Sequence, residues 1–257
     1  MKNTRLQINF NPGSSKERFM EKLSQIEYAI FDFDGTLYPG LFLFDLTKKI
    51  FEEKFSELKY QKKMEQLENV AKIYKAGDFI TSQSKFLDLL RDEDKKEFEY
   101  QSRNLLKNAY SYAKPTIGEL KNKYGIKSYL ISLTADFVAK IIKKQFNFEE
   151  VFSIKYKYTK TDLGEKFGGE VFDTIENPQE IKRRMFLDFQ NLNLYKDKSN
   201  FIAFFDSLDD LPIASSAFLK VGVNLNDKLS MSDNVDLILT DKNGDPWRDF
   251  YQFLLDV

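Results

Sequence analysis

Residues 28–37 read Tyr-Ala-Ile-Phe-Asp-Phe-Asp-Gly-Thr-Leu, a short apolar run that ends in two aspartates and a glycine. The run is too short for a typical helix and is apolar as far as Asp32, which predicts a buried strand of a parallel sheet. Side chains at alternate positions of an extended strand point to the same face, so the carboxylates of Asp32 and Asp34 are predicted to converge on one cavity. Ligands of open parallel sheets bind just beyond the carboxyl ends of the strands, so the two aspartates mark a candidate functional site.

The aspartates also have a purely structural interpretation, because Asp-Gly is a common turn signal after a strand. Burying two carboxylates costs several kcal/mol unless they are paired or bind a metal. A purely structural turn would therefore have little reason to place two aspartates at the end of a buried strand. We therefore favour a functional site, with an acidic turn as the alternative.

Similar apolar runs follow along the chain and alternate with stretches of helical character. The predicted strands are residues 128–133, 201–205, 219–223 and 236–239, and the predicted helices are residues 135–146, 178–190 and 211–218. This alternation predicts an α/β fold with a Rossmann-like parallel sheet and helices on both of its faces. The lysine-rich residues 155–166 are predicted to form a solvated loop or hairpin.

A long helical segment interrupts the alternation after the first strand. Between Gly40 and Pro115 there is no proline, and the apolar residues recur at helical spacing, for example at Met64, Leu67, Ala71 and Tyr74. We predict a core formed by residues 1–37 and 115–257 and a small helical cap domain, residues 38–114, inserted into it. The hinges are predicted at residues 38–40 and 114–115.

The composition excludes several kinds of chemistry. The 257 residues include no histidine and no cysteine, which removes imidazole bases, thiol nucleophiles and structural zinc sites. Lys and Arg number 39 against 40 for Asp and Glu, so no overall basic field would hold nucleic acid or an acidic membrane. The sequence has no uncharged apolar run long enough for a membrane span or a signal peptide, which predicts a cytoplasmic protein.

Residues 28–229 resemble the haloacid dehalogenase-like superfamily in the order and spacing of four motifs. The first motif of that family is DxDx[TV] after a hydrophobic strand, and Asp32 matches its nucleophile while Asp34 matches its general acid/base. The second motif is a Ser or Thr that ends a later strand. Ser132 matches it, with Thr134 as the alternative.

The third and fourth motifs lie in the second half of the chain. Lys182 is our choice for the lone basic residue of the third motif, with Arg183 as the rival; alone, this basic cluster would more simply be a solvated helix face. Residues 205–210 resemble the fourth motif, GDSxxD, with Phe205 in place of the glycine. Its two acidic positions fall on Asp206 and Asp210, and the neighbouring Asp209 is a rival ligand.

The resemblance implies an activity and a cofactor. It implies a Mg²⁺-dependent phosphomonoester phosphatase that acts on a small phosphorylated metabolite through an aspartyl-phosphate intermediate. The implied metal ligands are Asp32, Asp34 through its backbone carbonyl, Asp206 and Asp210. The implied phosphate-binding set is Asp32, Phe33 and Asp34 after the first strand, with Ser132 and Lys182. An insertion between the first two motifs is typical of the type 1 cap subclass, which contains phosphoserine phosphatase.

Two other functions stay open on the same fold. A phosphotransferase or mutase would use the same residues with a substrate hydroxyl in place of water, and a catalytically silent phosphate-binding protein is the third interpretation. The resemblance argues against phosphoserine as the substrate, because phosphoserine phosphatases carry a substrate-binding glutamate where this chain has Tyr38-Pro39-Gly40-Leu41.

Tyr38, Phe42 and Phe44 are predicted core residues, with pocket lining as the alternative. Trp247 is predicted to pack near the C-terminus.

Overall fold

The computed structural model describes residues 9–10, 15–172, 174, 176–192, 200–225, 235–240 and 244–256. Its strands are β1 (Asn9–Phe10), β2 (Tyr28–Phe31), β3 (Lys127–Ala135), β4 (Glu150–Ile154), β5 (Tyr156–Thr161), β6 (Gly164–Val171), β7 (Phe201–Phe205), β8 (Leu219–Val223) and β9 (Leu237–Leu239). Its α-helices are α1 (Lys16–Leu23), α2 (Phe42–Lys54), α3 (Glu57–Lys75), α4 (Phe79–Leu90), α5 (Lys95–Leu105), α6 (Ala113–Tyr124), α7 (Asp136–Phe146), α8 (Pro178–Asn191), α9 (Leu211–Ala214) and α10 (Trp247–Leu255). Two short 3₁₀ turns cover Leu106–Asn108 and Leu208–Asp210.

The main sheet has the strand order β1-β9-β8-β7-β2-β3-β4 among the described residues. The pairings from β9 to β4 are parallel, and β1 alone of these strands is antiparallel to its neighbour. The prediction of a Rossmann-like α/β fold is therefore confirmed. Because β2 lies between β3 and β7, the carboxyl ends of three predicted motif-bearing strands meet at one edge of the sheet.

Aromatic side chains hold the centre of the sheet to the C-terminal helix. The rings of Phe31 on β2 and Phe204 on β7 stack with their centroids 4.5 Å apart, and Trp247 packs against both. Trp247 is fully buried, and its indole N–H donates a hydrogen bond of 2.8 Å to the backbone carbonyl of Thr36. The C-terminal helix thus supports the loop that follows β2.

Most of the predicted strands and helices agree with the structure to within one or two residues, including the helices predicted over residues 135–146 and 178–190. Residues 201–205 and 219–223 coincide with β7 and β8, and residues 237–239 form β9. The helix predicted over residues 211–218 is wrong in length, because α9 ends at Ala214 after a single turn. The first predicted strand is β2, which ends at Phe31. The backbone N–H of Asp32 still donates a hydrogen bond of 3.1 Å to the carbonyl of Phe204 on β7.

Four helices, α2 to α5, form the insertion between β2 and α6, and we call residues 42–105 the helical insertion. Within it α3 packs against α4, and α2 packs against both α3 and α5. A hinge is predicted at Lys114 and Pro115, but both residues lie in the first turn of α6, where proline is well tolerated.

None of the described helices has both the length and the apolar character needed to cross a membrane.

The lysine-rich segment forms an antiparallel hairpin, β5–β6. Its Phe167 is buried and packs edge-on against Phe98 of α5 and Phe137 of α7. The hairpin, which we had assigned to the core, therefore also rests on the helical insertion. The division of the chain at residues 38 and 114 stays a prediction.

Candidate active site

The turn after β2 directs the two motif aspartates toward the edge of the sheet. The carbonyl of Phe33 accepts backbone hydrogen bonds from Leu37 at 2.8 Å and Tyr38 at 3.0 Å, which closes the turn tightly. Gly35 adopts φ +76°, a left-handed conformation that side chains disfavour. Asp32 and Asp34 both line a cavity of about 200 Å³ at this edge.

Asp32 faces Lys182, the one cation among the described residues that line the site. Its Oδ1 lies 3.0 Å from Nζ of Lys182, which also donates a short hydrogen bond to Oδ1 of Asp210. All three side chains are buried, with Asp32 6% exposed and the other two 2% exposed. Burial alone would lower the pKa of Lys182, but the charges of Asp210 and Asp32 outweigh it and raise that pKa. Lys182 is therefore a permanent positive charge next to Asp32.

The carboxylates of Asp32, Asp206 and Asp210 form a compact cluster, in which one oxygen of each lies within 4.8 Å of the others. Burial, followed by repulsion from Asp32 and Asp210, raises the pKa of Asp206 to about 9. Burial also raises the pKa of Asp210, in spite of its contact with Lys182. With all three groups ionised, the cluster would carry more negative charge than Lys182 can neutralise.

This cluster fits a divalent cation of the kind that the sequence resemblance implies. Its donors are all carboxylate oxygens, the ligands that Mg²⁺ prefers. A bound cation would favour the ionised forms that burial and mutual repulsion disfavour. Gly35 adds to the fit, because an added Cβ there would overlap the carboxylate of Asp206, so the turn leaves space for that side chain.

Asp34 lies where the sheet meets the helical insertion. Its Oδ1 accepts a hydrogen bond of 2.7 Å from the backbone N–H of Phe42, the first residue of α2. Helix α2 has no side-chain cap from its own N-cap residue Leu41, so Asp34 satisfies one of the free N–H groups. Burial, followed by the charge of Asp32, raises the pKa of Asp34 to about 7. A carboxyl group with this pKa can both give and take a proton near neutrality.

The cavity is bounded by the sheet on one side and by the helical insertion on the other. Ser132 and Leu133 of β3 contribute to one wall, and Leu41 and Tyr74 line the opposite side. Burial, followed by the nearby charges of Asp209 and Asp34, raises the pKa of Tyr74, so this phenol stays neutral. A ligand bound beside Asp32 would therefore contact residues of both parts of the chain.

The structure brings most of the predicted site residues together. The predicted residues that line the cavity are Asp32, Asp34, Ser132, Lys182 and Asp206, and Asp210 lies beside them in the carboxylate cluster. Phe33 is fully buried, with its ring against Tyr38 and Phe42, so it can reach a phosphate only through its backbone. The chemical role of each residue stays a prediction.

The rival candidates occupy different surroundings. Arg183 is exposed and pairs with Glu180 on the same helix, whereas Lys182 is buried in the site. Asp209 lines the cavity but is not a member of the carboxylate cluster. Ser132 does not end its strand, since β3 continues to Ala135 after a shift in its pairing with β4 beyond Ile131.

Two residues of the opposite wall, Tyr74 and Leu41, were not predicted as site residues from the sequence. Tyr74 was placed in the buried stripe of a helix, and it is only partly buried and faces the cavity. A helix residue that packs in the core and one that faces a cavity would have the same spacing from Leu67. The hydrophobic periodicity therefore could not distinguish these two positions for Tyr74. Leu41 was not expected in the site on any residue-level argument. Tyr38 and Phe42 are core residues as predicted, whereas Phe44 lines a second cavity described below.

Comparison with known proteins identifies the family and the fold. The family model described as haloacid dehalogenase-like hydrolase matches residues 29–215. A solved structure of substrate-bound phosphoserine phosphatase is 19% identical, with a TM-score of 0.64, and the match covers 90% of this chain and 98% of that chain. A phospho-aspartyl intermediate analogue of phosphoserine phosphatase is also 19% identical, with a TM-score of 0.64 and coverage of 89% and 98%.

A third solved structure is cytosolic 5'-nucleotidase IIIB bound to cytidine, which is 16% identical, with a TM-score of 0.64 and coverage of 98% of this chain and 93% of that chain. No curated protein sequence matches the chain. The structural likenesses show the fold, and the family match spans well over half of the sequence. The chain therefore belongs to the haloacid dehalogenase-like hydrolase family.

Proposed function

We propose that this hydrolase is a Mg²⁺-dependent phosphomonoesterase that works through an aspartyl phosphate on Asp32. The observation that supports the proposal most strongly is the position of Asp32. It directly follows the central strand β2 and lies beside both Lys182 and the carboxylates of Asp206 and Asp210. A carboxylate held beside a fixed cation and a divalent-cation site suits attack on a phosphate dianion.

The metal would be held by Asp32, Asp206 and Asp210, with the backbone carbonyl of Asp34 as a further ligand implied by the family. When bound, Mg²⁺ offsets the negative charge of the carboxylates and of the substrate phosphate, so that the nucleophile can approach phosphorus.

Asp32 and Asp34 divide the bond making and the proton transfers. The carboxylate of Asp32 forms a bond to phosphorus while the bond to the leaving alcohol breaks, and Asp34 gives a proton to the departing oxygen. In the second step a water molecule attacks phosphorus and Asp34 takes up its proton. Asp32 leaves, and inorganic phosphate is released.

Lys182 and Ser132 hold the phosphoryl oxygens. Nζ of Lys182 lies 3.0 Å from the attacking carboxylate, close enough to donate to an oxygen of a phosphoryl group bound there. Ser132 is buried in the cavity wall that β3 forms, and its hydroxyl can donate as well. Donors fixed where negative charge develops lower the barrier without a cost of reorganisation.

A screen of phosphomonoesters with and without Mg²⁺ tests the proposal by the release of inorganic phosphate. Release that depends on Mg²⁺ supports it, and the absence of turnover across a broad panel contradicts it. The same reactions with added alcohols separate hydrolysis from transfer. If the phosphoryl group passes mainly to the alcohol, the chain is a phosphotransferase.

A cytoplasmic location stays a prediction.

A further inference from the structure

The active-site cavity continues into a second, smaller cavity between the helical insertion and the sheet. The smaller cavity measures about 60 Å³ and shares Asp34, Leu41, Tyr74 and Leu133 with the larger one. It begins at the residue that would protonate the leaving group, and Lys182 lines the larger cavity but not this one. A substrate whose phosphate lies at Asp32 would therefore place its leaving group here. The volume admits about four to six water-sized groups.

The walls of the second cavity are apolar and aromatic. Phe79 and Phe86 are buried there, and the ring of Phe86 stacks on that of Phe44 at 5.1 Å. The polar groups are neutral: Ser82 donates to the carbonyl of Val70, and Gln83 donates to the hydroxyl of Tyr156. Among the described residues that line this cavity, Asp34 alone carries a carboxylate, and no lysine or arginine is present.

One polar side chain of this wall lacks a partner. Thr134 lines the cavity and is 2% exposed, and its hydroxyl makes no hydrogen bond to the described residues. Its backbone N–H, in contrast, is directed at the hydroxyl of Ser132 at 3.3 Å. A buried hydroxyl without a partner is unfavourable. The oxygen is enclosed in this conformation, so a polar group of a bound ligand would satisfy it after a rotation of the Thr134 side chain.

We infer that the physiological leaving group is a short, uncharged and mainly apolar alcohol, and that Thr134 is a specificity-determining residue that hydrogen-bonds to it. This inference rests on the proposed phosphatase function and names its substrate class. An ammonium or carboxylate group on the leaving group would lose its hydration in this cavity and find no opposite charge apart from Asp34, which the reaction itself uses. Phosphoserine, with one group of each sign, falls outside the class.

Three phosphomonoesters of similar size test the charge requirement: propyl phosphate, O-phosphoethanolamine and phosphoglycolate. With the full chain and Mg²⁺, kcat/KM for propyl phosphate should exceed that for each charged ester by at least about tenfold. Equal or faster turnover of either charged ester would overturn the inference and leave the phosphatase function intact. No turnover of any of the three, together with none in the broad panel, would remove both.

A second experiment tests Thr134 itself. The ratio of kcat/KM for propane-1,2-diol 1-phosphate to that for propyl phosphate should fall by about fivefold or more in Thr134→Val, because only the diol ester can use the hydroxyl. Ser128→Ala is the matched control, since Ser128 is also a buried hydroxyl without a partner but lies outside the cavity lining. The control should keep the wild-type ratio. An unchanged ratio in Thr134→Val would exclude Thr134 as a specificity residue, whereas a purely structural role would lower both rates together.

Discussion

Gly35 and the carboxylate of Asp206 are in such close contact that a Cβ atom on residue 35 would overlap it. The two residues come from different strands: Gly35 follows β2 in the turn after the two motif aspartates, and Asp206 follows β7 directly. The glycine at this position is therefore required by the carboxylate cluster as well as by the turn. This contact joins the first and the fourth sequence motifs.

Gly35→Ala should abolish turnover and weaken Mg²⁺ binding, because the new methyl group would displace Asp206. Gly125→Ala is the control, since Gly125 has a similar φ of +69° and open space around its Cα. Both variants should lose about 1 kcal/mol of stability from the left-handed conformation. Activity and calorimetric Mg²⁺ titrations of the two proteins check this, and equal losses of activity in both would count against the contact.

Asp206→Asn should raise the Mg²⁺ concentration for half-maximal activity by more than about tenfold, because it removes one charged ligand of the cluster. Asp209→Asn should change that concentration little, since Asp209 lies outside the cluster. Titration of activity and of the melting temperature Tm with Mg²⁺ measures both variants. If the Asp209 variant showed the larger effect, the assignment of ligands would be wrong.

The metal-free protein should become less stable as the pH rises. Burial and nearby carboxylates raise the pKa of Asp34 to about 7 and that of Asp206 to about 9. An unfolded chain releases these protons near about pH 4, so above that pH the folded state binds more protons than the unfolded state. The free energy of unfolding should then fall by up to about 1.4 kcal/mol per pH unit for each group.

Urea denaturation with a chelator, from about pH 5 to about pH 8, measures this slope. Asp206→Asn removes one of the groups and should give a shallower slope than the wild type. Added Mg²⁺ should stabilise the wild type more at the higher pH, because it binds the ionised carboxylates. A metal-free protein whose stability rises across this range would contradict the crowding of these groups.

Lys182→Met should lower kcat while Mg²⁺ binds no more weakly, since the carboxylate cluster loses its only fixed positive neighbour in the described part of the site. The metal-free variant should also lose about 3–5 kcal/mol of stability, because two buried carboxylates lose their partner. Arg183→Met, next to it on the exposed face, should change stability by less than about 0.5 kcal/mol. Comparable losses of activity in the two variants would disprove the choice of Lys182.

The chemical residues of the site were predictable because their signals are local. The two aspartates after β2 follow a continuous apolar run, and burial of such charges has few explanations other than a site. Lys182 could also have been separated from Arg183 by periodicity alone, because Lys182 shares one helix face with the buried Phe186 and Phe189. The parallel sheet then brings separate motifs to one edge.

The parts of the site supplied by the helical insertion and by Leu41, the residue just before it, were not predictable in the same way. Tyr74 and Leu41 reach the cavity only through the packing of helices over the sheet, and that packing has no short-range signature. The hinge at Pro115 was misread because proline favours both loops and the first turn of a helix. The hairpin was correctly expected as one alternative, but the burial of Phe167 depends on distant partners.

In the proposed mechanism Asp32 becomes covalently phosphorylated during turnover, and trapping the acyl phosphate detects this intermediate. The protein is mixed with Mg²⁺ and a turned-over phosphomonoester, quenched in acid within the first turnover and reduced with borohydride, which converts a phosphorylated aspartate to homoserine. Mass spectrometry should then find homoserine at position 32 in the wild type, and Asp32→Asn should show neither the conversion nor turnover. Conversion at another carboxylate, or undiminished turnover by Asp32→Asn, would contradict the account.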